Sequence, residues 1–157
     1  MMHIRVDDLR GAEIIALLQE HLDDMYATSP PESVHALDVE QLRHPSITFW
    51  TIWDGDVLAG SIALKALSAT HGEIKSMRTP RRARGKGAAK ALLAHLLNEA
   101  RSRGLTRVSL ETGSQDFFAP ARTLYAQSGF IACGPFEGYK LDPHSVFMTL
   151  EVVDVKS

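Results

Sequence analysis

The chain has a single cysteine, Cys133, among 157 residues, so it can form no intramolecular disulfide and has no cysteine-rich metal framework. Its seven histidines never recur four residues apart, the spacing that puts two ligands on one helix face, so no metal is expected in its chemistry. No stretch approaches the roughly 18 uninterrupted apolar residues of a membrane span. The opening Met1-Met2-His3-Ile4-Arg5 also lacks the apolar core of a signal peptide, which predicts a cytoplasmic protein with no membrane partner. With a net charge of -2, the chain lacks the positive excess of a dedicated nucleic-acid binder. Gly85-Lys86 has neither the upstream glycine nor the following Ser/Thr of a nucleotide P-loop. Internal repeats and low-complexity tracts are missing as well. What remains, at 45% apolar content, predicts one ordinary globular domain over residues 1–157 that buries its own core.

Positive charge is concentrated in one place. Between Lys75 and Lys86 stand Lys75, Arg78, Arg81, Arg82, Arg84 and Lys86 with no acid among them. The run Arg84-Gly85-Lys86-Gly87-Ala88-Ala89 then passes into an apolar stripe, Leu92, Leu93, Leu96, Leu97 and Ala100, at the three-and-four spacing of a helix face. Lys90, His95, Asn98, Glu99 and Arg101 fall on the other face, which places His95 in solvent, and Gly104 is the stop signal. Two glycines leave the backbone N–H groups of the first turn unshielded at the positive end of the helix dipole, so a phosphorylated ligand is expected there. The alternative is a glycine-rich helix start that binds nothing.

Elsewhere the pattern predicts a short strand over His3 to Val6 and a helix capped by Asp7 or Asp8, carrying Ile14, Ile15, Leu17, Leu18, Leu22 and Met25 and ending near Tyr26. Asp38 with Gln41 resembles a capping signal for a short helix ending before Pro45. Ile47 to Trp53 and Val57 to Leu64 read as two strands joined by the Asp54-Gly55 hairpin. Glu73 to Thr79 reads as a strand, and Arg107 to Glu111 as its parallel partner after the crossover helix from about Gly87 to Arg103. Ala119 to Gln127 is a shorter helix, Phe130 to Cys133 a strand with Cys133 buried, and Ser145 to Val153 a final strand. The expected fold is α/β: a mixed central sheet of six or seven strands with about four helices and a parallel pair around the crossover helix. In the strand Glu73 to Thr79, the apolar Ile74 and Met77 lie an odd number of residues apart, which a β-bulge between them would reconcile.

Arg84-Gly85-Lys86-Gly87-Ala88-Ala89 fits the Arg/Gln-x-x-Gly-x-Gly/Ala signature of the GNAT superfamily of acetyl-coenzyme A-dependent N-acetyltransferases, and Leu124-Tyr125-Ala126-Gln127-Ser128-Gly129-Phe130 resembles that family's later Leu-Tyr-x-x-x-Gly-Phe element. Arg82 to Gly87 matches the first signature two residues earlier. The Arg84 frame is preferred because it places Ala89 at the start of the apolar stripe. Glu73 to Thr79 and Asp142 to Met148 resemble small bacterial acetyltransferases, some labelled indole-acetate acetyltransferases. The asparagine often found seven residues before the family's tyrosine is Phe118 here, which leaves one customary polar contact near the thioester without its residue.

The resemblance implies a GNAT-like fold with acetyl-CoA as co-substrate. It implies a pyrophosphate site on the backbone of Arg84, Gly85, Lys86, Gly87, Ala88 and Ala89, and amides at Met77 and Thr79 aimed at the thioester. Tyr125 becomes the acid for the departing thiolate, since a phenol of pKa about 10 is protonated at neutral pH and can protonate a thiolate whose conjugate acid lies near about 8.5. Glu73 is the first candidate base and Glu111 its competitor. Arg78 and Lys75 could neutralise these acids or hold a substrate carboxylate. Arg78, Glu111 and Tyr139 are the expected substrate contacts, with Asp38, His35 and Trp50 as further wall residues and His71 and His144 in loops within reach. The expected reaction moves an acetyl group to a primary amine of a small molecule by direct transfer in a ternary complex, without an acyl-cysteine. A protein or peptide N-acetyltransferase and a noncatalytic acyl-CoA-binding regulator are the alternatives. An edge strand near the C-terminus could pair across a homodimer.

Overall fold

The computed structural model describes residues 2–35, 37–80, 85 and 87–152; Arg81, Arg82, Arg84 and Lys86 of the basic run lie outside them. The chain begins with β1 (Met2–Val6) and α1 (Ala12–Thr28), followed by the short helix α2 (Val39–Leu42). Next come β2 (Ile47–Asp54), β3 (Val57–Ala66), β4 (His71–Arg78), α3 (Ala88–Ser102) and β5 (Arg107–Gly113). It closes with α4 (Ala119–Gln127), β6 (Ile131–Cys133) and β7 (Ser145–Glu151). The seven strands form one sheet in the order β1-β2-β3-β4-β5-β7-β6. Among the described residues only β4 and β5 pair in parallel, as expected of strands joined by a crossover helix.

The two faces of the sheet are covered differently. Ala88, Leu92, Leu93, Leu96, Leu97 and Ala100 of α3 pack on Ile52, Ile62, Leu64, Ile74, Val108 and Leu110. Burying each of those leucines stabilises the fold by about 1.5–3 kcal/mol. On the opposite face Ile14, Leu17 and Leu18 of α1 meet Phe49, Trp53, Leu58 and Ala63. The buried stripe of α3 thus starts at Ala88, one residue before Ala89, because Gly87 at φ 80° is the helix cap.

Several local expectations are corrected by backbone chemistry. Asp7 and Asp8 do not cap α1: their carboxylates accept from the N–H of Leu9 and Arg10 two residues on, which turns the chain, and Gly11 takes the cap position. The helix runs on to Thr28, whose hydroxyl donates to the Asp24 carbonyl. Asp38 and Gln41 do form a reciprocal capping box, so Asp38 is held as a cap. Trp50 lies in the α3-side core at 3% exposure and is no substrate wall; His95 packs edge-on against it at 5.5 Å rather than standing free. His71 opens β4 instead of lying in a loop, and its Nε2 meets Ser109 Oγ at 2.8 Å. The short β6 forms the C-terminal edge of the sheet. Its Ile131 is 66% exposed and Cys133 only half-buried.

The expected bulge is present and shapes the site. Between β3 and β4 the register moves from Ala63↔Lys75 to Ser61↔Arg78, so β4 spends one residue more than β3. Ser76 absorbs it at φ 54°, a left-handed conformation that is uncommon outside glycine. The parallel ladder between β4 and β5 stops at Ile74↔Leu110, just before this bulge. Beyond that rung β4 follows β3 and β5 follows β7, and the two strands part.

Candidate active site

The parting strands open a cleft of about 510 Å³. One wall is β4 from Ile74 to Arg78 with Thr79, and the other is Glu111 and Thr112 of β5. Gly85, Gly87, Ala88, Ala89 and Lys90 close one end, while Phe117, Phe118, Pro120, Ala121, Leu124 and Tyr125 supply the α4 side. From the α1 side come His21, Met25 and His35. Of the expected donor-binding residues, Met77, Thr79, Gly85, Gly87, Ala88 and Ala89 therefore converge on one cavity, and Arg84 and Lys86 lie outside the described residues.

The helix end in this cleft suits a phosphorylated ligand. Gly85 and Gly87 both adopt positive φ, at 81° and 80°, and nothing among the described residues lies within 4 Å of where a Cβ would stand at either. The backbone there is open to a bulky anion at the start of a 15-residue helix, where unpaired N–H groups and the dipole coincide. At the bulge, Ser76 lines the cleft, and its buried Oγ has no hydrogen-bond partner among the described residues. Both features fit an acyl-CoA: the helix end for its pyrophosphate, the disrupted strand for its amide-bearing arm.

Two titratable groups meet across the gap. Tyr125 is buried at 5% exposure and donates its hydroxyl to Met77 Sδ at 3.5 Å. Burial, reinforced by the nearby Glu111 carboxyl, holds its pKa well above the ordinary phenol range, so it keeps its proton. Glu111 lies on the opposite side of the sheet. Burial raises it from 4.5 to about 7, with Ser145 and Lys75 partly opposing the shift, and no cation among the described residues is within ion-pair distance. A protonated acid and a carboxyl poised near neutrality thus stand on either side of one opening.

The other expected residues are engaged elsewhere. Glu73 is 3% exposed and does not line the cleft. Its Oε2 accepts from Tyr139 Oη at 2.5 Å and from Lys75 Nζ at 3.1 Å, while Lys75 also donates to Tyr139 Oη at 2.9 Å. Tyr139, its pKa raised by burial and by Glu73, belongs to this trio rather than to the cleft wall, and His35 packs edge-on against it at 5.0 Å. Arg78 reaches the cleft, but its guanidinium is paired with Glu20 at 2.8 Å and with Asp24, tying β4 to α1. Phe118 packs over Gly113, where a Cβ would fall 2.1 Å from the ring. His144 lies beside Gln115, which in turn donates to Thr28 and Ser29 at the end of α1.

His21 and Ser76 are cleft residues that periodicity alone did not single out, and Met25, expected only on the apolar stripe of α1, lines the cleft as well. A signal existed for His21: it continues the Leu17, His21, Met25 row at spacing four, so a polar residue stands in the buried stripe of α1. Burial, aided by Arg78, lowers it to about 4, and its Nδ1 has no partner.

The model of the acetyltransferase (GNAT) family matches residues 14–130. The chain is 56% identical over 148 residues to the uncharacterized N-acetyltransferase YsnE of Bacillus subtilis (strain 168), covering 94% of this chain and 98% of that one. It is 47% identical to the uncharacterized N-acetyltransferase YedL of Escherichia coli (strain K12), covering 98% and 97%. Among solved structures, the protein of Klebsiella pneumoniae described as a "putative acyl-CoA N-acyltransferase" superposes with a TM-score of 0.78 at 27% identity, covering 98% of this chain and 99% of that one. The chain belongs to the acetyltransferase (GNAT) family: it is an N-acetyltransferase.

Proposed function

We propose that this chain transfers the acetyl group of acetyl-CoA directly to a primary amine of a small molecule, with both substrates bound at once. The observation that carries this reading is the gap between β4 and β5, which has Tyr125 on one side and Glu111 on the other. The donor enters from the α3 side, its pyrophosphate on the backbone from Arg84 to Ala89 and its thioester beside the Met77 and Thr79 amides. The acceptor enters from the α1 side, where Glu111, Lys75 and His35 stand. Cys133 supports transfer without a covalent enzyme intermediate: it lies on the edge strand β6, away from the cleft, and burial raises its thiol pKa further from the thiolate.

In this reading Glu111, rather than Glu73, is the base. An acceptor arriving as an ammonium gives one proton to the Glu111 carboxylate. The nitrogen forms its bond to the carbonyl carbon, the carbon–sulfur bond breaks, and the sulfur takes the Tyr125 proton. The second nitrogen proton restores the phenol, leaving amide, free thiol and one proton on Glu111 that passes to water. Glu73 is held by Lys75 and Tyr139 and acts as a positioning residue. The test is thiol release from acetyl-CoA over a panel of amino acids, amines, polyamines and peptides. Transfer to small primary amines, lost in Tyr125→Phe while acetyl-CoA still binds, is the expected result. A protein that binds acetyl-CoA and acetylates nothing in the panel is a regulator instead.

A further inference from the structure

The acceptor side of the gap holds charges of both signs in a fixed order. Glu73↔Ser109 and Ile74↔Leu110 are the last rungs of the parallel ladder, so Lys75 and Glu111 are the next residues on each strand, facing one another where the strands part. Both alternate away from Ile74 and Leu110, which are buried against α3, and therefore share the α1 side of the sheet. Both line the cleft.

They are not paired with each other. Lys75 Nζ spends one donor on Glu73 Oε2 at 3.1 Å and one on Tyr139 Oη at 2.9 Å. An ammonium has three donors, so one has no partner among the described residues, and Lys75 lines the cleft. Its position is over-determined: Glu73 and Tyr139 hold it, and its side chain is only 9% exposed. On the opposite strand the Glu111 carboxyl has no cation of the protein within ion-pair distance among the described residues. The chain thus presents a spare cationic donor and a spare carboxyl on adjacent strands, at the one place where no ladder joins them.

We propose that the acceptor is an amino carboxylic acid, whose carboxylate is bound by Lys75 and whose amine is delivered to Glu111. The amine and carboxylate of such a molecule are separated by one or two carbons, a span that suits neighbouring strands about 4.8 Å apart that are beginning to diverge. Glu73 and Tyr139 then serve to aim Lys75. Lys75 is a specificity-determining residue, because an amine lacking the carboxylate would leave the buried ammonium without a partner for its third donor. This rests on the acetyl-transfer reading above.

The experiment compares amino acids with the amines left by their decarboxylation, by thiol release and by calorimetric titration into the enzyme saturated with CoA. The expected result is that kcat/KM for the amino acid exceeds that for its amine by about 10- to 100-fold, the range of one charge-assisted hydrogen bond. Lys75→Met should abolish this preference mainly through KM, and Lys75→Arg should restore part of it. Because Lys75→Met leaves Glu73 buried without its cation, the double variant Glu73→Gln/Lys75→Met is measured beside it. Equal use of amines and amino acids, or a preference unchanged in both Lys75→Met backgrounds, overturns the proposal. Amino acids that bind the CoA complex through Lys75 without being acetylated keep Lys75 as a carboxylate site but overturn the transfer reading, and the role of acceptor falls with it. If neither class binds or reacts, the proposal falls.

Discussion

Glu111→Gln should make the protein slower and more stable at once, with both effects governed by pH. In the folded chain burial lifts this carboxyl from 4.5 to about 7. As a base it works only when ionised, so kcat/KM should rise by about tenfold between pH 6 and pH 8 and level off above. The step must stay near pH 7 when one acceptor is exchanged for another of different amine pKa, since it belongs to the enzyme and not to the amine. Glu111→Gln should remove the step and lower the plateau by about 100-fold, as expected for loss of a positioned base.

Stability moves the other way. Between pH 4.5 and 7 the folded chain keeps on Glu111 a proton that the unfolded chain has released, so the group's contribution to stability is full below about pH 4.5 and is lost as pH rises through about 7. A shift of that size corresponds to at most about 3 kcal/mol at pH 8. The neutral glutamine avoids this loss. In urea titrations Glu111→Gln should therefore gain up to about 3 kcal/mol over the wild type at pH 8 and nearly nothing at pH 4.5, with unchanged m. A flat activity profile between pH 6 and 8, or a variant that keeps the step, refutes the assignment of the base. Equal stability of variant and wild type at pH 8 refutes the burial argument behind it.

The remaining predictions address other parts of the cleft. Tyr125→Phe should lower kcat by about 100-fold while acetyl-CoA affinity by calorimetry changes less than about threefold, since the ring still fills its site and only the proton donor is lost. Gly87→Val should raise KM for acetyl-CoA by about tenfold: at φ 80° a β-branched residue is strained, and its methyls would stand over the helix-end amides although no atom of the described residues opposes the Cβ. A KM within twofold of the wild type would show that the pyrophosphate does not sit there. Gly113→Ala should destabilise by about 1–3 kcal/mol, because its Cβ would fall 2.1 Å from the Phe118 ring, and Phe118→Leu should recover part of the loss. A thermal midpoint unchanged by Gly113→Ala would refute that packing.

Much of the donor half of the cleft was legible in the residue order, because its signals are local. The Gly85 and Gly87 spacing, the leucine stripe that follows and the mismatched Ile74 and Met77 each depend on a few neighbouring residues, and the helix start and the bulge appear where they point. The acceptor half depends on pairings distant in the chain. Glu73 and Glu111 are equivalent as isolated strand carboxylates. They diverge because the ladder ends at Ile74↔Leu110, which leaves Glu73 within the ladder, held by Lys75 and Tyr139, and puts Glu111 at the opening. Trp50 misleads for the same reason, since an aromatic on an alternating strand points to whichever face the neighbouring strands allow. The bulge joins the two halves: β4 carries one extra residue just past the last rung with β5, so the same irregularity that sets Met77 on the cleft wall leaves Lys75 and Glu111 where the two strands part.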